Sequence, residues 1–300
     1  MFTALDILLG FVVPFLVTAT ILVLAWRPWR VGRARDARWS GVLAVSAGYA
    51  IAYARLVNGL HFPPSSSDAW IVYLLVPCAL IGVLGCWMRI GPVAWLIAVL
   101  LLFAVLVWLL LRPLIGTEVS RFGAAWRIVV FSIAMTVWWV MLNHLARYGP
   151  RLLAPAVSLL VALGAAVILG DNGLARRGGF TCAALAVLMM AVLLAGAITR
   201  RFTFAGGGTL AASLVLLGTL AYGWFYIYPD PGARLSWAIV LLLISPLLAW
   251  AGSLRALRRR TAWQRGLVSV FAVFLGVAGA VALAESSPAQ TTSPADGYVP

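Results

Sequence analysis

The stretch PVAWLIAVLLLFAVLVWLLL, residues 92–111, holds twenty consecutive residues without a single charge, opened by a proline and closed by Arg112. Crossing the roughly 30 Å hydrocarbon core of a bilayer as a helix takes about 20 apolar residues, so this segment reads as a transmembrane span. Its length decides against a buried helix of a soluble domain, and the rest of the chain agrees. Of 300 residues, 64% are hydrophobic and only 10% are charged, with a mean hydropathy of +1.04. A soluble domain needs about a quarter of its residues charged to cover its surface. Outward from 92–112, comparable runs fall near 6–26, 39–57, 70–88, 126–147, 152–170, 180–198, 208–228, 236–254 and 266–284. The expectation is an all-α, polytopic transmembrane bundle of about ten spans forming one domain over 1–284. A disordered, non-cytoplasmic tail, 285–300, follows. No short apolar run ending in a small-residue cleavage site comes first, so the opening span is expected to be retained.

The formal charge of +14 is carried entirely by arginine, since none of the 22 basic residues is lysine. Mapped onto alternating loops, the charge separates. Fifteen arginines, among them Arg27, Arg30, Arg33, Arg35, Arg38, Arg147, Arg151, Arg200, Arg201, Arg258, Arg259 and Arg260, share one side with a single acid, Asp36. The other side holds seven arginines and seven acids. Positive residues are retained in the cytoplasm during insertion, so both termini are expected to be non-cytoplasmic, in a bacterial-type cytoplasmic membrane. The basic loops RPWRVGRARDAR and LRALRRRTAWQR then serve topology and contact with anionic lipids on the cytoplasmic side, not nucleic acid.

Composition also excludes chemistry. Without lysine there is no Schiff-base amine and no P-loop. Cys78, Cys86 and Cys182 all lie in predicted spans, which disfavours a disulfide framework, and His61 and His144 cannot close a zinc site alone. No catalytic, cofactor-binding or metal site is expected, and the enzyme reading ranks below the others. All eight acids fall in loops or at span ends, which argues against a carrier coupled through an intramembrane carboxylate. GDNGLARRGG (170–179) resembles the Asp-Gly-x-x-Ala-Arg opening of the CDP-alcohol phosphotransferases, but an extra residue follows Asp171 and the next aspartate is Asp230; it reads as a turn.

An offset of 167 residues sets GVLAVS (41–46) over GTLAAS (208–213), and continues through Ala54 and Ala221, Pro64 and Pro231, Trp70 and Trp237, and Gly85 and Gly252. This suggests a parallel internal repeat in which spans 1–4 correspond to spans 7–10. The loop HFPPSSSDAW (61–70) then matches YPDPGARLSW (228–237) in its proline and tryptophan. It does not match in His61 or Asp68. With Arg55, Tyr49 and Tyr53 on one face of span 2, those residues form a candidate outer cavity, in which Arg55 is expected to approach Asp68 over the two phenols. Span 5 carries Ser132, Thr136, Trp139 and Asn143 at i, i+4, i+7 and i+11, a candidate polar stripe expected to face the bundle interior. Two functional classes follow. One is a small-solute or lipid transporter or facilitator without carboxylate coupling. The other is a non-catalytic subunit or scaffold that docks a membrane protein partner through apolar faces.

Overall fold

In the computed structural model the described residues are 4–26, 37–57, 59–64, 66–87, 91–170, 176–199, 202–226, 234–253 and 261–286. The basic loops at 27–36 and 254–260, the turn at 171–175, the YPDPGA stretch at 228–233 and most of the tail lie outside them. The fold is an all-α polytopic membrane bundle. Its helices are α1 (Ala4–Trp26), α2 (Trp39–Leu56), α3 (Ala69–Trp87), α4 (Pro92–Leu111), α5 (Arg121–Tyr148), α6 (Leu153–Gly170), α7 (Arg176–Ile198), α8 (Gly207–Tyr226), α9 (Arg234–Ile244) and α10 (Ala262–Glu285). Eight are long and apolar enough to cross a membrane by themselves.

The other two, α2 and α9, fall short for different reasons. In α2, Ser40, Ser46, Tyr49 and Tyr53 lower the hydropathy, and all four are buried within the protein rather than turned to lipid. Helix α9 stops after 11 residues and continues as a 3-10 segment, Ser245–Ser253. The cause is Pro246, which has no N–H to offer the carbonyls of the preceding turn. Two side chains replace it: the Ser245 hydroxyl donates to the Leu242 carbonyl at 2.8 Å, and the Trp138 indole N–H donates to the Leu243 carbonyl at 3.2 Å. At about 1.5 Å and 2 Å of rise per residue, the two pieces together reach about 34 Å, enough to cross.

Helix ends follow local chemistry. Helix α5 begins at Arg121, five residues ahead of the boundary read from hydropathy, because the Ser120 hydroxyl accepts the Gly123 N–H as an N-cap. Thr261 and Gln264 form a reciprocal capping box at the start of α10.

The bundle is organised around α8. In its membrane-length window 89% of residues are buried, against 22% for α1 and 28% for α10. Helices α2, α3, α5 and α7 pack directly on it. Close approach is set by glycine. A methyl group placed on Gly41 of α2 would stand 3.3 Å from the Cα of Gly208 on α8, and one on Gly82 of α3 would stand 3.1 Å from the Cα of Gly207 and 2.9 Å from Val42. Small residues at these crossings let backbones meet where no hydrophobic force drives helices together in lipid.

Gly41 and Gly208 are partners under the 167-residue offset, so the aligned stretches meet at their own matching positions. The helix contacts do not support a repeat beyond this one crossing. Helix α3 packs on α8 and α2, whereas α9, which the offset would set over α3, packs chiefly on α10 and α6.

Replacing Gly82 with valine should push α3 away from α8, because the contacts are backbone and a β-branched neighbour that cannot swing aside. We expect a loss of about 1–3 kcal/mol, the usual cost of overpacking, read as a lower thermal unfolding midpoint in detergent. An unchanged midpoint would mean that the α3–α8 crossing is not close.

Candidate functional site

Contacts between helix ends sort the bundle into two faces. Tyr53, Asp68, Leu110, Arg177 and Tyr226 gather at one, and Asn143, Arg151, Thr199 and Gly206 at the other. The first corresponds to the charge-balanced side of the sequence and the second to the arginine-rich side.

At the charge-balanced face the loop after α2 turns back over the helix ends and is tied down at three points. The Tyr73 hydroxyl donates to the His61 carbonyl at 2.9 Å. The Tyr53 hydroxyl donates to Oδ2 of Asp68, also at 2.9 Å. Ser67 and Tyr226 hydroxyls lie 2.8 Å apart, and Tyr226 donates onward to the Leu110 carbonyl at 2.7 Å, so Ser67 donates to Tyr226. Leu110 sits in the last turn of α4, where a carbonyl lacks a helical partner. Asp68 is only 8% exposed, and its carboxylate is buried beside a phenol rather than a cation.

This corrects the expected pairing of Arg55 with Asp68. Arg55 is exposed, and among the described residues no ion pair joins it to Asp68. The 2.9 Å bond places the Tyr53 phenol against the carboxylate, while Arg55, two residues on, extends outward where its charge stays solvated. Tyr49 lies one turn deeper than Tyr53, with ring centroids 6.4 Å apart. It is fully enclosed beside Thr181, Thr219 and Cys182, and so belongs to the core rather than to a cavity wall.

A cavity of about 130 Å³ opens at this face. Its polar lining comes from Tyr53, His61, Ser66, Tyr73 and Arg177. Tyr53 and His61 were legible in the sequence as candidates. Arg177 was missed because it sits far along the chain in the first turn of α7, and the motif around it reads only as a turn.

The span 5 stripe is buried throughout: Ser132, Thr136, Trp139 and Asn143 are each less than 9% exposed. Its members do different work. Ser132 and Thr136 donate to carbonyls of their own helix, Ile128 at 2.5 Å and Ser132 at 2.7 Å. Trp139 packs against Trp95 with centroids 6.5 Å apart, and its indole N–H has no partner among the described residues. Only Asn143 bonds across helices. Its Oδ1 accepts the Gly206 N–H at 2.7 Å, holding the positive-φ Gly206 where the chain turns into α8, and lies 3.4 Å from the Thr209 hydroxyl.

A second, larger cavity of about 450 Å³ lies between α5, α8 and the α9 break. Its floor is Met135, Trp138, Leu220 and Ile239, all buried, and its rim is Val130, Val137, Ile244 and Leu247, all exposed. The rim residues lie midway along α5 and at the α9 break, so the opening faces the side of the bundle.

Among the described residues no cluster of three or more His, Cys, Asp or Glu side chains could hold a metal ion. No protein-family model matches the chain, and no curated protein is similar to it in sequence. Fold and composition establish it as a multi-pass integral membrane protein.

Tyr53→Phe should leave Asp68 buried without its donor and cost about 1–3 kcal/mol. In a thermal unfolding series with Asp68→Leu and the double variant, the coupling should be non-additive; additivity would separate the two groups. Asn143→Leu should lower the unfolding midpoint, by about 1–3 kcal/mol for the orphaned Gly206 N–H, whereas Thr136→Val, which removes a bond within one helix, should move it far less. Equal losses would contradict this division of the stripe.

Proposed function

We propose that the protein binds the apolar chain of a lipid or lipid-like amphiphile, drawn sideways from the bilayer into the groove between α5, α8 and α9, and serves in lipid handling as a carrier or facilitator. The observation that carries this reading is the groove itself: about 450 Å³, apolar in its lining, and open at membrane depth. That volume lies within the range of about 300–1,000 Å³ typical of ligand sites. Its walls include Met135, Met141, Phe131, Trp138 and Trp224, long or flat side chains that re-pack around a flexible chain.

Two comparisons favour a lipid over the other candidates. A partner helix docks best on small residues that admit its backbone, and here only Ala134 and Ala221 are small. An aqueous solute would need a polar passage, whereas this groove has an apolar lining and α2 and α8 close on each other at the Gly41–Gly208 crossing. The break in α9 lies at the groove wall, so the segment that lines the opening is also one without continuous helical hydrogen bonding. The same proposal places the arginine-rich face in the cytoplasm, where it meets anionic lipid, and both termini outside it.

A phospholipid carrying a photoactivatable group midway along one acyl chain should crosslink to peptides of α5, α8 and α9 in preference to those of α1 and α10. Ala221→Trp, which fills the groove floor, should reduce that labelling several-fold. Uniform labelling of all lipid-facing helices, unaffected by the tryptophan, would overturn the proposal. For orientation, alkaline phosphatase fused after Pro300 should be active, and an inactive fusion with a fluorescent cytoplasmic reporter at the same point would reverse the assignment.

A further inference from the structure

Helix α5 carries its own depth scale. Tryptophan and tyrosine collect where hydrocarbon meets headgroups, and α5 exposes Trp126 near its charge-balanced end and Tyr148 at its arginine-rich end. One turn inside Tyr148, the His144 ring stacks on the exposed Trp250 of the 3-10 segment, with centroids 5.0 Å apart and planes 5° from parallel. At 1.5 Å per residue, Trp126 and His144 stand about 27 Å apart along α5, close to the roughly 30 Å of a hydrocarbon core. A helix tilt of about 20° shortens that span by only about 6%. The midplane then falls at Met135.

On this scale the groove crosses the midplane. Its α5 lining runs from Val130 to Met141, about 16 Å, with the two ends about 8 Å and 9 Å from Met135 on opposite sides. Both ends are bounded by rings. At one, Phe131 packs on Trp224 with centroids 6.3 Å apart, joining α5 to α8. At the other, the His144–Trp250 stack joins α5 to the 3-10 segment just past Met141 and Leu247. Residues three apart eclipse one another in a 3-10 helix, so Trp250 stands in line with Leu247.

The length of the slot sets the length of chain that fills it. From either aromatic level to the far end of the lining is about 21–23 Å, whichever leaflet holds the headgroup. An extended chain advances about 1.25 Å per carbon, the projection of a bond of about 1.5 Å at a near-tetrahedral angle, so that distance takes about 17–18 carbons. A shorter chain leaves part of the lining without contacts. A longer one meets the rings and gains nothing more.

Given a lipid chain as occupant, the reading on which this rests, we propose that the groove selects by chain length: it takes one straight chain of about 17–18 carbons, held extended across the midplane.

The test is competition in nanodiscs of dimyristoylphosphatidylcholine above its melting temperature, with the whole protein. The probe is a trace of phosphatidylcholine carrying a diazirine midway along one palmitoyl chain, read as labelling of α5, α8 and α9. Lauroyl, palmitoyl, stearoyl and arachidoyl phosphatidylcholines compete at equal mole fraction. Competition should strengthen several-fold from lauroyl to stearoyl and then level off. Ala134→Trp sets a ring in the groove beside the midplane, about 12–15 Å from the aromatic levels, and should move the levelling-off point down to lauroyl. Labelling confined to the three helices but indifferent to chain length, or a levelling-off point unmoved by Ala134→Trp, overturns length selection and leaves the groove standing. Even labelling of all lipid-facing helices overturns the groove reading and this inference with it. If Ala134→Trp does not fold, the wild-type series alone decides.

Discussion

The passage of α2 and α3 across α8 at Gly41, Gly82, Gly207 and Gly208 is the contact on which the remaining architecture depends. In lipid there is no hydrophobic gain from pressing two apolar helices together, so association rests on close packing and on the few polar groups that find partners. Glycine at the crossings brings the backbones close enough for α8 to be enclosed by its neighbours. Once α8 is central, its two surfaces diverge in character. Tyr222 and Tyr226 stack together toward the charge-balanced mouth, with centroids 4.9 Å apart. Leu217, Leu220, Ala221 and Trp224 line the lateral groove.

The polar side chains of the interior follow from a second requirement, that every backbone group at membrane depth find a partner. At three such interruptions among the described residues, a side chain from another helix supplies the missing bond. Asn143 of α5 receives the N–H of Gly206, Tyr226 of α8 serves the Leu110 carbonyl, and Trp138 of α5 serves the carbonyl of Leu243 beside Pro246. These residues are polar because the backbone nearby is interrupted. The lateral groove lies at one such interruption. Where α9 gives way to the 3-10 segment, the helix no longer fills the space against α5 and α8, and the gap is left with apolar walls.

Much of this was legible in the sequence. Uncharged runs such as 92–111 specify membrane helices by length and composition alone, and the spacing of Ser132, Thr136, Trp139 and Asn143 placed them on one buried face. The sites were less legible. Periodicity reports which face a residue occupies but not what it meets across the bundle, so Asp68 was matched to the nearest cation in sequence, Arg55, when its partner is the phenol of Tyr53. Ser67 and Tyr226, and likewise Tyr53 and Arg177, come from distant segments and meet only through the packing of the helices. The groove was invisible for a further reason. Pro246 marked a break in a span, but a cavity is a property of three helices at once, and no single helix records it.

The central claim is that the groove between α5, α8 and α9 is a lipid-chain site open to the bilayer. A cryo-electron microscopy reconstruction of the whole protein in native-lipid nanodiscs tests it most directly. The account predicts a continuous rod of density, the width of one acyl chain, running along Trp138 and Leu220 and leaving the protein between Val137 and Leu247. A groove closed by α9 moving onto α5, with lipid density no more ordered there than along α1 and α10, would contradict it.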